Sequence, residues 1–542
     1  TSRLATLLLL TTALATPSLA LAQDAPAADT PAAASTEAPA EPLTPDAPEA
    51  APQEEAVDVS LPGEIVVTGA RDRNLAKSSD QVISVLSSAE IARTGEGNIA
   101  GAPGRVTGLS IVGSGFVYVR GLGDRYSLAL LNGSPLPSPE PLRRVVPLDI
   151  FPTNVVASSL VQKSYSANFP GEFGGGVVNL TTTAVPREPF LTVNMGISGD
   201  TETTSHFGYS YFGARSDWTG FDDGSRDIPA SLSAFLASGK RIGDTTVDDQ
   251  TIAGELVRAS RATLQKVHNL PVNFSASLSG GTAFEVGSDA TLGVIATFGF
   301  SNKWTNRDAR QQTPSKADLS ELFADTQRVT TDNRMIASAM IGLGLEFGDH
   351  KLRQTNLFIR DTIKQGRLAV SEDFNTGFTR MTQDTAWFER QLFESQFVGE
   401  FRFGDLSLDL RGTYANSQRE APYELTFGYA RTNRAADPTG AYFINRLNNG
   451  QTGSASVSFS DLNENLWAAS LDLSYLLTTR LTASAGYAFS DTRRRSTRRE
   501  FQFIAPSDMP TGVAMLRPDL LLSPELIKFY NVGLVETTES DP

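Results

Sequence analysis

A search for chemistry along this sequence turns first on what its reactive residues cannot assemble. Cysteine is absent, which excludes disulfides and thiolate metal sites. The three histidines, His206, His268 and His350, stand too far apart for a local metal motif and read as solvent-facing residues. No G-x-S-x-G elbow, P-loop or H-E-x-x-H run occurs, and Gly121-Leu122-Gly123 does not extend into a dinucleotide fingerprint. Carboxylates are plentiful in the C-terminal half, but without a pairing signal they read as solvated loop charge. No catalytic residue, metal or cofactor emerges, and the chain does not read as an enzyme. Binding remains, together with the elements that would position it.

Those elements are bounded by composition. A chain of 542 residues with net charge −15, 40% hydrophobic and 20% charged residues is neither collagen, coiled coil nor wholly disordered. Its length allows two to four domains, and its acidity argues against general nucleic-acid binding. Thirty Phe, 12 Tyr and 4 Trp against 3 His and 6 Met favour strands over helical cores.

Leu4 to Ala15 is a largely apolar run, followed by Pro17 and by Ala20-Leu21-Ala22, an A-x-A cleavage pattern before Gln23. Residues 1–22 therefore read as a signal peptide rather than a core helix, too short to anchor in a bilayer. Residues 23–63 follow as an Ala, Pro and acid tether; from Asp24 to Ala56 it has no Lys or Arg and one large aliphatic, Leu43. Such a stretch buries too little apolar area to offset its ordering entropy. Since no other run approaches 18 consecutive apolar residues, a membrane role would need strands.

The tether ends in Glu64-Ile65-Val66-Val67-Thr68-Gly69, a short β-branched run after Pro62-Gly63. It is either a strand offered to a partner's sheet edge or the first strand of the next domain. Residues 78–186 then form a glycine-rich domain. Gln81 to Leu86 reads as a strand. Leu109 to Val112 and Phe116 to Arg120 meet across Gly113 to Gly115, and Leu128 to Leu131 runs into the hairpin dipeptide Asn132-Gly133. A Pro-rich loop covers Pro135 to Pro141, and Gly171 to Thr182 closes the domain.

The ordered set Ile65 to Thr68, Val117-Tyr118-Val119-Arg120-Gly121, Leu131-Asn132-Gly133 and Gly174-Gly175-Gly176-Val177-Val178-Asn179-Leu180 resembles the plug of a TonB-dependent outer-membrane receptor. The resemblance implies a plug inside a transmembrane antiparallel β-barrel, with residues 64–69 as the TonB box. It implies that Arg120, with Gly121 and Arg105, locks the plug against barrel glutamates, for which Glu394 and Glu400 are candidates. It also implies ligand-facing plug loops at Ser114, at Gly123, Asp124, Arg125 and Tyr126, and at Ser138, Glu140, Arg143 and Arg144. Guanidinium groups there suit an anionic ligand; pairing with the barrel wall is their alternative.

Residues 187–542 read as a partial transmembrane barrel. Segments of about ten residues alternate, as in Phe274 to Leu278, Val294 to Phe300, Phe397 to Phe403 and Leu471 to Tyr475. Polar stretches at Asp217 to Thr251 and Ala435 to Thr452 read as long loops, and Gly348-Asp349-His350 and Thr478-Thr479-Arg480 as short turns. A soluble sandwich would alternate too, but not with that asymmetry of turns and loops. Roughly fourteen strands are expected, where plugged transporters have about 22.

Taken with the resemblance, the sequence implies a mostly β, Gram-negative outer-membrane protein with its plug and arm facing the periplasm. It would take up a scarce solute, ferric siderophore foremost, using TonB, ExbB and ExbD and no cofactor. A truncated, non-transporting fragment and a ligand-sensing binding protein are the alternatives.

Overall fold

The structure, a computed structural model, describes residues Ile83 to Ser540. Within that span 88–90, 92–98, 102–103, 105, 114, 124–125, 144, 165–175, 183–185, 187, 245, 449–451 and 480 lie outside the described residues, as do 1–82 and 541–542. The expected leader, tether and box at Glu64–Gly69 are among those left outside, as are Arg105, Ser114, Asp124, Arg125 and Arg144.

The N-terminal domain is built on a five-stranded sheet. Its strands are β1 (Ile83–Ser87), β4 (Ser127–Leu131), β5 (Ser134–Pro135), β6 (Val156–Gln162) and β7 (Gly176–Thr182), in the order β1-β6-β7-β4-β5. A hairpin of β2 (Leu109–Val112) and β3 (Phe116–Val119) stands beside it. Central β6 and β7 are apolar or small-residue runs buried on both faces, as the middle of a covered sheet requires. Asn132-Gly133 makes the expected tight turn, both residues at positive φ, and Asn132 Oδ1 accepts the Thr182 backbone N–H at 2.9 Å.

The second part is one antiparallel wall of ten strands: β8 (Phe190–Ser198), β11 (Asn273–Val286), β12 (Ala290–Pro314), β13 (Leu322–Phe347), β14 (His350–Asp373), β15 (Phe378–Phe403), β16 (Leu406–Arg431), β17 (Ser454–Thr478), β18 (Leu481–Ile504) and β19 (Gly533–Ser540). A two-stranded ribbon, β9 (Gly208–Ser210) with β10 (Gln265–Val267), packs on the wall, where the Tyr209 N–H donates to Thr331 Oγ1 at 2.9 Å. The expectation of roughly fourteen barrel strands is thus corrected to ten in the wall among the described residues. The reason is length: β13, β15 and β16 each run 26 residues, so two alternating segments of sequence form one continuous strand. Phe397 to Phe403, for example, is only the final part of β15. Short turns and long connections do segregate to opposite ends, with Gly348-Asp349 at one and 199–272, 432–453 and 505–532 at the other.

Alternation gives the wall two chemically different faces. Asp361 of β14 points to the N-terminal domain, whereas its neighbours Arg360 and Thr362 both donate to the Gly220 carbonyl on the opposite face, at 3.0 and 2.7 Å. Near the turn end that opposite face is an exposed apolar band including Ile341, Leu343, Phe397, Leu471 and Leu473. One aromatic group, Phe347, His350, Phe401 and Phe403, lies at its turn-end border, and another, Tyr414 with Trp467 and Phe393, lies about ten residues further along. An apolar band between two aromatic girdles is the membrane-spanning zone of a β-barrel. Among the described residues no helix is long and apolar enough to cross a membrane.

Beyond the second girdle the same face is covered by the long connections. Helices α1 (Ala230–Ser238), α2 (Asp249–Leu256) and α3 (Ala259–Ala262) share an apolar core with the wall residues Leu425, Phe427, Val457, Phe501 and Phe503. Helices α4 (Thr511–Ala514), α5 (Pro518–Leu521) and α6 (Pro524–Phe529) join it through Ala514, Leu521 and Ile527. A buried charge cluster pins this cap. Arg226 pairs with Asp217 at 2.9 Å and lies 4.0 Å over the Trp387 ring, while Lys364 reaches Asp217 at 2.7 Å.

Arg226 also bonds Asp222. Burial would raise that carboxyl, but the hydrogen bonds and charge of Arg226 outweigh it and hold Asp222 below its ordinary value. A depressed folded value means a stabilising contribution that is present above the ordinary carboxylate range and is lost as pH falls through the folded value. Amide exchange across 211–227 is therefore expected to speed up on acidification below about pH 4, and Arg226→Ala is expected to give fast exchange there already at neutral pH.

Candidate functional site

The most concentrated chemistry lies where the N-terminal domain meets the wall. Leu148 and Ile150 are buried in the domain core, and Asp149 between them is turned out toward the wall. Arg390 of β15, 6% exposed, reaches the Asp149 carboxylate at 3.2 Å, Glu140 at 3.2 Å and Asp361 of β14. Arg334 of β13 holds Asp361 at 2.7 Å, the Asp149 carboxylate at 2.9 Å and the Asp149 carbonyl at 3.0 Å. Strand pairing sets this arrangement: Asp361 is registered opposite Arg390, and Arg334 lies two residues from Asp361's other partner, Ile336. Two wall guanidinium groups therefore grip two carboxylates of the inner domain and share a third on the wall.

A second grip holds the Pro-rich loop. Arg494 of β18 pairs with Glu464 of β17 and donates to the carbonyls of Ser138, Glu140, Pro141 and Arg143 at 3.1 to 3.5 Å. A third lies at the Asn132-Gly133 turn, where Gln396 donates to Ser134 Oγ at 2.8 Å and to the Leu131 carbonyl at 3.2 Å. Gly115 ties the first grip to the neighbouring glycine turn. Its φ is +91°, its carbonyl accepts from Leu148 N–H at 2.9 Å, and a Cβ there would lie 2.6 Å from the Asp149 nitrogen.

Ion pairs this buried are close to neutral in net stability against apolar packing, yet losing one partner costs about 3–5 kcal/mol. Such contacts fix a docking register more than they stabilise the fold, and they can be broken and remade without leaving an apolar gap.

Arg120 is not among the residues that the described wall engages. Arg120 follows β3 at φ 54° and is exposed, because Val119 takes the core-facing position. Among the described residues it makes no ion pair; its charge stands near Lys163, which burial and then Arg120 hold below the ordinary lysine value. Glu394 does face the inner domain, 1% exposed, but neither carboxylate oxygen has a hydrogen-bond partner among the described residues. Glu400 lies near Arg402 at 3.9 Å. Gly121 is exposed at φ 78°. The ion pairs between the inner domain and the described wall thus place arginines on the wall and acids on the inner domain.

The ligand-loop residues divide. Tyr126 is 45% exposed and Gly123 partly so. Ser138 is fully buried, its hydroxyl bonded to the Val145 carbonyl at 3.1 Å, Glu140 is engaged by Arg390, and Arg143 lies 4.0 Å over the Phe116 ring. Leu142, 97% exposed, is the tip of that loop instead. Sequence reasoning missed Asp149, Arg334, Asp361, Arg390, Arg494 and Glu464. The signal available for Asp149 was a lone charge inside an apolar run; Arg390, beside Glu389 and Gln391, had none. Among the described residues no group of three or more His, Asp or Glu is placed to hold a metal.

An inner domain fastened to an antiparallel wall with an apolar, girdled outer band is the architecture of a plugged membrane barrel, here with the wall open, since among the described residues β8 and β19 do not pair. Residues 76–177 match the family described as TonB-dependent Receptor Plug Domain. Similar solved structures include the siderophore receptor PiuA from Acinetobacter baumannii (12% identity, TM-score 0.31, covering 81% of this chain and 67% of that one). The ferric citrate transporter FecA in its unliganded form (11%, 0.29, 81% and 65%) and BauA, the ferric preacinetobactin receptor from Acinetobacter baumannii (15%, 0.27, 80% and 65%), are others. The chain thus spans about two thirds of the length of these structures. A comparison with curated proteins finds no match.

Arg390→Ala is expected to leave Asp361 and Asp149 sharing Arg334 alone and to weaken the plug–wall contact by about 3–5 kcal/mol. Spin labels on the plug should then gain mobility in urea at concentrations that leave the wall folded; unchanged mobility would show that the apolar contacts alone hold the plug.

Proposed function

We propose that the protein is a TonB-dependent outer-membrane transporter that takes up a scarce solute, with a ferric siderophore as the leading candidate. The observation that carries this reading is the plug domain fastened to the wall by exchangeable guanidinium–carboxylate contacts, an arrangement suited to being held at rest and displaced under load. In this reading the plug and the arm before it face the periplasm, and the long connections face the cell exterior. Ligand settles over the plug near Tyr126 and Leu142, the box at Glu64 to Gly69 becomes available, and TonB, driven with ExbB and ExbD, adds it as a strand to its own sheet and pulls. Since the outer membrane supplies no energy of its own, force must arrive through that arm.

No step in this reading makes or breaks a covalent bond in the solute, so the protein acts as a carrier and not as an enzyme. Its partners are the TonB complex, the lipid around the wall and the solute.

Deleting residues 64–69 in the host's own gene is the test. Uptake of a labelled ferric siderophore should be abolished while binding to whole cells persists. Uptake that survives the deletion removes the TonB mechanism, and binding with no uptake even in the undeleted strain favours the sensing alternative.

A further inference from the structure

The wall offers the plug one cation more than the first grip uses. Asp361, Asp149 and Glu140 are three carboxylates, and two guanidinium groups, Arg334 and Arg390, bond them all. A third guanidinium stands beside these. Arg419 of β16 is registered directly opposite Arg390 of β15, so both side chains leave the sheet on the plug side. Like charges in that relation repel, and an acid placed between them removes the conflict.

Arg419 is not held as Arg390 is. It donates to Ser460 Oγ at 3.3 Å and lies 5.4 Å over the Phe388 ring, and among the described residues it has no ion pair. Burial holds its guanidinium below the ordinary arginine value, and Glu140 is the strongest of the charges that act the other way. Its place in the wall is closed on both sides, with Arg390 of β15 opposite on one and Leu462 of β17 on the other.

Glu140 is placed to meet either cation. Its carbonyl accepts from Arg494 of β18 at 3.3 Å while its carboxylate meets Arg390 of β15 at 3.2 Å, so the residue bridges β18 and β15, and Arg419 belongs to one of the two strands between. Residues directly opposite in an antiparallel pair have Cβ atoms about 5 Å apart. The Glu140 carboxylate covers that distance by turning about its own side-chain bonds, and the backbone that Arg494 holds stays where it is.

We propose that Arg419 is a second seat for Glu140: the carboxylate passes from Arg390 to Arg419 when the Asp149 contact opens, and the Pro-rich loop stays tied to the wall while the rest of the plug moves. With the third cation included, three acids face three guanidinium groups, so the exchange leaves no carboxylate without a partner. The second seat rests on the reading of the plug as a part displaced under load, and it adds the contact that brings the plug back to the same register.

The test uses the full chain in isolated outer membranes of its host, with a nitroxide label on Leu142→Cys; the sequence itself has no cysteine. The mobile fraction of the label is read at a urea concentration that leaves the wall folded. Arg419→Gln alone is expected to leave it unchanged, because Glu140 sits on Arg390. Arg390→Gln with Arg419→Gln is expected to raise it about tenfold over Arg390→Gln alone. With Glu140→Gln added to Arg390→Gln, the further change Arg419→Gln should have no effect. Equal mobility in Arg390→Gln and the double variant overturns the second seat, as does an Arg419→Gln effect that persists without Glu140. If the double variant does not insert, Arg390→Gln with Glu140→Gln decides: it should also be about tenfold more mobile than Arg390→Gln, and no difference means that Glu140 has no seat besides Arg390. Uptake that survives deletion of residues 64–69 would remove the pulling mechanism and leave these mobilities as they are, so the two readings fail separately.

Discussion

Burying a charge is expensive unless its partner is buried with it, and much of this architecture follows from where the chain accepts that condition. Asp361 is 1% exposed and is tolerable only because Arg334 and Arg390 stand on either side of it. Those arginines have donors left over, and the unspent donors are what Asp149 and Glu140 of the plug answer. The docking position of the plug is thereby written into the wall before the plug arrives. An apolar seam would allow it to slide or tilt by small amounts; a set of forked donors with fixed partners does not.

The same reasoning separates the plug's two kinds of attachment. Ile295, Met340, Leu357, Ile359 and Leu392 of the wall belong to the plug's own apolar core, which supplies non-directional adhesion. The guanidinium contacts supply direction. Glu394 sits on the same face as Leu392 and Gln396, and among the described residues its carboxylate has no hydrogen-bond partner.

Much of this was legible in the residues. The plug's glycine and hairpin signals, the two-residue period of the wall and the asymmetry of its connections all rest on local chain physics, and they survive in the fold. Strand number did not, because period two looks the same in one strand of 26 residues and in two of ten. The ion pairs that fasten the plug were hidden for a different reason. Arg120 is identified by a short motif, but whether it is enclosed depends on what packs against β3, and that is a tertiary fact. Asp149 carries no motif at all; its role arises from Leu148 and Ile150 being drawn into the core on either side. Residues 64–69 lie outside the described part, and the loop that includes Glu140 and Arg143 is held by the wall.

The cap on the membrane-facing side of the wall sets a mechanical limit. Wall strands of 24 to 26 residues are more than twice as long as a bilayer crossing requires, so length alone would let the barrel ride at many depths. Helices α1 to α6 thicken the wall beyond the second aromatic girdle, and exposed charges of the cap such as Lys240, Arg241 and Asp244 oppose its entry into hydrocarbon. It acts as a collar resting on the headgroups: the barrel can descend only until the collar meets them. Where the bilayer thickens or thins, accommodation must then come from the short-turn end, the only end free to move along the membrane normal.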